Sequence, residues 1–227
     1  PRRLAALPAG AAAVAAVVLA GVGLGVDRFD AAHPAPTHLM YAMDADTGQA
    51  RWLSHESEPQ PWTDGYVDGV TDVGDEFPGL GGGELRVGPA QAANLPAPKL
   101  EVVADATSGG ERTLRLRLTP QRAARLATLH VDTSTATVLR AEVAGRPVPV
   151  EPRAGKWGFG LVFHAPPTEG IEVVLVVRPI GGQVALRAMD ASDGLDALPG
   201  FRPRPPAVGV VGSHSSEMLA VARTYPI

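Results

Sequence analysis

Leu114-Arg115-Leu116-Arg117-Leu118 alternates apolar and charged residues without a break. That period of two puts all the leucines on one side of an extended strand and cannot line one face of a helix. The pattern recurs along the chain. Ala127, Leu129 and Val131 oppose Thr128, His130 and Asp132, and Leu139, Ala141 and Val143 oppose Arg140 and Glu142. Phe159, Leu161 and Phe163 form another inward set, as do Val184, Leu186 and Ala188, with Leu219, Val221 and Arg223 less clean. Ile171–Val177 is apolar nearly throughout, which suits a central strand covered on both faces. Clusters of Gly, Pro, Asp and Ser separate these runs, and Ala144-Gly145-Arg146-Pro147 reads as a turn between two strands. A short helix is expected around Pro120–Leu126. The pattern predicts an all-β fold, an antiparallel β-sandwich. With 227 residues, 45% of them hydrophobic, the chain is long enough for a two-sheet core and too apolar for a disordered tail.

The first residues depart from this pattern. Leu4–Val26 is 23 residues without a charge. As a helix it would reach roughly 34 Å, enough for a hydrocarbon core of about 30 Å. Arg2 and Arg3 precede it, and Asp27, Arg28 and Asp30 follow. The expectation is a transmembrane helix over residues 1–29 and a β domain over 30–227. The protein would sit in the cell membrane, with residues after about 27 extracytoplasmic. A signal peptide or a buried soluble helix competes with this reading, because Ala and Gly make the run only weakly hydrophobic. The chain opens on Pro1 rather than Met, as a trimmed chain or a piece of a longer one would.

Net charge is −4, with no basic bias, so nucleic acid is not an expected partner. Cysteine is absent, which excludes disulfides, thiolate metal sites and a cysteine nucleophile. Glu56–Glu76 holds seven acidic residues and no Lys or Arg, and reads as a long surface loop pinned by Trp62 and Tyr66. Residues 199–206 read as an extended, proline-rich strap.

Candidate chemistry is sparse. The six histidines show neither His-x-x-x-His nor His-Glu-x-x-His spacing, although His130 and His164 lie on strand patterns that could meet. No Gly-x-Ser-x-Gly elbow or Gly-rich phosphate loop is present, and the serines beside His214 are sequence neighbours in a loop. Asp44-Ala45-Asp46-Thr47-Gly48 begins like a calcium loop, but Gly48 stands where the third ligand is needed and His55 where the terminal Glu belongs. The better reading is a hairpin of strands Leu39–Met43 and Gln49–Leu53, with the Asp side chains bonding local amides and Gly48 supplying positive φ. The expected set of catalytic and metal-binding residues in this segment is therefore empty, and no cofactor is expected in it.

The order of several motifs points further. Asp44, Asp46 and Gly48 with Trp52 are followed by Trp62, then by Gly145 and Pro147, Trp157, Pro166, Asp190 and Gly194, and finally Arg223 and Tyr225. With the apolar run before it, this series resembles the C-terminal, extracytoplasmic part of bacterial multi-pass membrane peptidases of metallopeptidase family 28. The resemblance implies an accessory β-rich domain of a membrane-bound zinc aminopeptidase, itself non-catalytic. Zinc would lie in an upstream peptidase domain of the same protein, whose ligand motif no residue here matches. The alternative is an anchored or exported binding or adhesion module with no enzyme attached.

Overall fold

A computed structural model describes residues 6–26, 29–80 and 83–227, with side chains from residue 10 onward and none at residue 26. The chain is mostly β, in several sheets, with one long helix and no closed barrel among the described residues. It divides into two units, Pro1–Pro36 with Arg204–Gly209, and Thr37–Pro203 with Val210–Ile227.

The first unit carries helix α1, Ala6–Val26. Pro8 falls in its first turn, where the missing N–H leaves no helical bond unmade. The side chains described, Gly10 to Gly25, are all exposed and number 16, ten of them Ala or Gly. Among the described residues no helix is long and apolar enough to cross a membrane. The expected span over Leu4–Val26, and the cell-membrane location drawn from it, are corrected accordingly; Leu4 and Ala5 lie outside the described residues. Ala35 N donates to Ala207 O at 2.8 Å where two three-residue strands, β1 (Ala35–Thr37) and a later partner, run side by side.

The second unit begins with β2 (Met40–Asp44) and β3 (Ala50–Ser54), the hairpin expected from the turn residues between them. A one-turn helix α2 (Pro61–Asp64), β4 (Gly69–Asp72) and β5 (Glu84–Ala90) follow. Then come β6 (Lys99–Ser108), β7 (Glu111–Thr119), β8 (Ala124–Val131), β9 (Ala136–Val143) and β10 (Arg146–Val148). The last strands of this unit are β11 (Phe159–His164), β12 (Ile171–Pro179), β13 (Ala185–Ser192) and β15 (Leu219–Pro226); β14 (Val208–Val210), the partner of β1, falls mainly in the first unit. One sheet has the order β10-β9-β12-β7-β6, all antiparallel. The other has the order β11-β8-β13-β15-β2-β3-β5-β4.

The alternating leucines act as their spacing dictates. Leu114, Leu116 and Leu118 are fully buried and share one apolar cluster with Val173 and Leu175 of their own sheet and with Leu129, Val131, Leu186 and Ala188 of the eight-stranded sheet. The opposite face of the eight-stranded sheet is also covered. Val73, Phe77 and Leu80 pack there against Met40, Leu126, Met189 and Ala220.

Three sequence expectations fail here. β15 pairs with β2 in parallel, Leu219 opposite Tyr41, so the sheet is not antiparallel throughout. No hairpin joins these two strands, and nothing local fixes their direction. Residues 120–126 form no helix: β8 starts at Ala124, and its neighbours on both sides supply the backbone bonds that a helix would have made internally. The Glu56–Glu76 segment is not simply a loop; it carries α2 and β4 and buries Trp62, Thr63, Tyr66, Val67 and Val73.

Candidate functional site

The hairpin that opens the second unit is clamped from outside. Asp44 Oδ1 accepts the Asp46 and Thr47 amides at 2.7 and 3.3 Å, and Gly48, at φ +73°, returns its N–H to Asp44 O. Asp46 behaves differently from expectation. Its Oδ2 accepts Thr224 N at 2.8 Å and Arg187 Nη1 at 3.3 Å, joining the turn to β15 and β13 rather than to local amides. Arg187, 3% exposed, is the centre of this network. It also donates to Asp44 Oδ2 at 3.0 Å, to Thr224 Oγ1 at 2.8 Å, and through Nε to Glu76 O at 2.8 Å. Glu76 in turn accepts from Arg51 Nε at 2.8 Å. Such a site is closed: each carboxylate faces an internal donor, and burial of the arginine requires those partners.

The other residues that carried the family resemblance also serve as framework. Trp52 is 4% exposed and meets Tyr41 and Tyr66 edge-on at 5.4 and 4.9 Å. Trp62 lies 5.0 Å from Tyr66 and 6.0 Å from Phe201. Trp157 Nε1 donates to Asp75 O at 3.0 Å. Gly145 and the preceding Ala144 both hold positive φ, as a tight two-residue hairpin between β9 and β10 requires, and Pro147 sits on the edge strand β10, where its missing N–H breaks no ladder. Pro166 lies in the turn after β11. Gly194, at φ +115°, starts a 3-10 turn, Leu195–Ala197. Arg223 Nε stands 4.0 Å from Asp46 Oδ1, its guanidinium over the Tyr225 ring at 5.6 Å, and the Tyr225 hydroxyl donates to Pro98 O. Burial raises the Tyr225 pKa. Asp190 is fully buried and bonded to Arg122 and to Gln121 N. Burial pushes its carboxyl pKa up, opposed by the Arg122 guanidinium, and pulls Arg122 down.

The contact most like a catalytic pair joins residues far apart in sequence. His38 Nε2 is 3.0 Å from Ser215 Oγ, which is 3.0 Å from Ser213 Oγ. His38 is 4% exposed, and burial first, then the charges of His55 and His214, lower its pKa to about 4. The neutral ring has one proton to place. The His55 backbone N–H donates to Nδ1 at 3.3 Å, so Nδ1 is the acceptor and the proton sits on Nε2, which donates to Ser215. A hydrolytic serine needs the reverse: Nε2 must accept the serine proton while Nδ1–H is held by a carboxylate. Glu56, the nearby carboxylate, instead accepts His38 N at 2.7 Å, Thr63 Oγ1 and Gln60 N.

His130 and His164 do not meet. His130 lies opposite Gly160 and His164 opposite Leu126, four positions along the same strand pair. His130 is buried beneath Gly79 and against Gly160, and burial lowers its pKa to about 4, with Arg153 and Arg187 adding to the effect. No group of three or more His, Asp or Glu side chains among the described residues is placed to hold a metal. No known family, curated protein or solved structure matches this chain.

The sequence alone singles out none of Arg187, His38 and Arg122. Arg187 did leave a signal: it interrupts the apolar run Val184 to Met189, a position where an arginine survives only with buried acceptors. The partnership of His38 with Ser215 left none, since 177 residues separate them.

Proposed function

We propose that this chain is a non-catalytic accessory domain with β-sandwich architecture, and that it serves a zinc-dependent aminopeptidase whose peptidase domain lies upstream. The order of the motif residues supports the link to that peptidase family. The observation that carries the non-catalytic reading is the polarity of the Ser215–His38 contact, in which the ring donates to the hydroxyl and leaves the serine unactivated. Packing of both sheets into one apolar cluster supports the sandwich.

The test has two arms. The full chain is treated with a fluorophosphonate serine probe and with aminoacyl reporter substrates, and neither labelling nor turnover is expected. The reading frame preceding Pro1 is then translated. A zinc-peptidase domain is expected there, and co-elution of that domain with this chain would support their docking; a start codon adjoining Pro1 would overturn the assignment. A second reading, a binding module with no enzyme attached, draws on an open cavity of 630 Å³ in the second unit.

A further inference from the structure

That cavity lies between the extended segment after β5, the residues leading into β8 and the 3-10 turn after β13. Its volume falls in the range of small-ligand sites. Leu95, Leu198 and Leu219 supply an apolar floor, and Ala123 one wall. Asn94, Arg122, Ser192 and Asp193 supply the polar groups. Both charges are spoken for within the chain. The Arg122 guanidinium donates to Asp190, to Ser192 Oγ at 3.1 Å and to Pro96 O at 2.6 Å, and Asp193 Oδ1 receives Arg125 Nη1 at 3.1 Å. The cavity therefore offers no uncompensated charge to an ionic ligand. It does offer hydrogen bonds. Ser192 accepts from Arg122 and keeps its own proton to donate, and the Asn94 carboxamide, exposed at the mouth, bonds to no described residue.

We propose that this cavity binds an extended peptide segment, taking one aliphatic side chain onto the leucine floor and pairing the flanking peptide groups with Asn94 and Ser192. A carboxamide presents one acceptor and two donors, the complement of a peptide unit. The lining holds no aromatic ring on which a sugar could stack, and three leucines match an aliphatic side chain. The proposal deepens the accessory reading by giving the domain a peptide to hold. It is measured on this chain alone, so its failure leaves the link to a peptidase standing.

The experiment is calorimetric titration of the full chain with acetyl-glycyl-leucyl-glycinamide, alongside the same peptide with glycine or glutamate in place of leucine. Burial of a leucine side chain corresponds to about ten- to hundredfold in affinity, so the glycine peptide is expected to bind weaker by that factor and the glutamate peptide at least as weakly. Ala123→Phe fills the cavity and is expected to abolish binding. Asn94→Ala, at an exposed position, is expected to weaken binding severalfold with the melting temperature unchanged, which decides the matter if Ala123→Phe fails to fold. Absence of saturable binding by the leucine peptide overturns the proposal. So does equal binding by the glutamate peptide, by a folded Ala123→Phe chain or by Asn94→Ala.

Discussion

Replacing Arg187 by methionine keeps most of the side-chain volume in the sheet and removes every donor. Four acceptors lose a partner: Asp44 Oδ2, Asp46 Oδ2, Thr224 Oγ1 and Glu76 O. They do not lose equally. Asp44 retains two local amides through its other oxygen, and Asp46, one-third exposed, retains Thr224 N and can take up water. Glu76 O has less recourse, having accepted both Nε and Nη2 of the same arginine. Removing one partner from a buried ionic network costs about 3–5 kcal/mol, because the remaining charges stay desolvated. For a domain of this size that corresponds to a fall of about 6–20 °C in melting temperature. Urea unfolding of Arg187→Met, Asp46→Ala and the double variant measures it. Asp46→Ala should cost about 1–2 kcal/mol, and the pair should couple by about 1 kcal/mol. A loss below about 1 kcal/mol in Arg187→Met, or strict additivity, would refute the view that this arginine clamps the hairpin.

Acid should weaken the fold through its buried histidines. His130 titrates at about 4 when folded against an ordinary 6.5, so between those values the unfolded chain binds more protons; stability is full above 6.5 and falls by about 3 kcal/mol as the pH drops to 4. His38 adds in the same direction. Denaturant midpoints across that range check the slope, and His130→Gln should flatten it. In Gly88→Ala the new Cβ would lie 2.0 Å from Tyr66 O, a backbone atom with little room to yield, and a loss of about 2–3 kcal/mol is expected by chemical denaturation. Trp52→Ala empties a buried ring site and should cost about 3–5 kcal/mol; a loss under about 1 kcal/mol would mean that the aromatic cluster is dispensable.

What could be read from the residues alone was whatever short-range chemistry determines. The β2–β3 hairpin was legible because Asp44 and Gly48 set its turn by themselves. The leucines of β7 were legible because a period of two admits one buried face. Strand β8 was half legible. Its alternation assigned Thr128 and His130 to the face opposite Leu129, yet both are buried, because residues 73–80 fold over that face. No local signal announces that the end of the acidic segment and the residues just after it will supply Val73, Phe77 and Leu80 as a lid. The parallel pairing of β2 with β15 and the meeting of His38 with Ser215 depend on contacts across most of the chain, and neither leaves a periodicity.

The placement of β15 has a kinetic consequence. It lies between β13 and β2 in the eight-stranded sheet, so the four strands β2-β3-β5-β4 reach the other three only through it. Those four strands are synthesised early, and β15 follows every other strand of the sequence. Until residues 219–226 emerge, the early strands have a free edge at β2 and no backbone bonds to the remainder of the sheet. Closure thus waits for a contact of very long sequence separation, and such contacts make folding slow. An early half with an unpaired edge is also the kind of species that associates with copies of itself, so a pause in translation before β15 would expose this chain to aggregation.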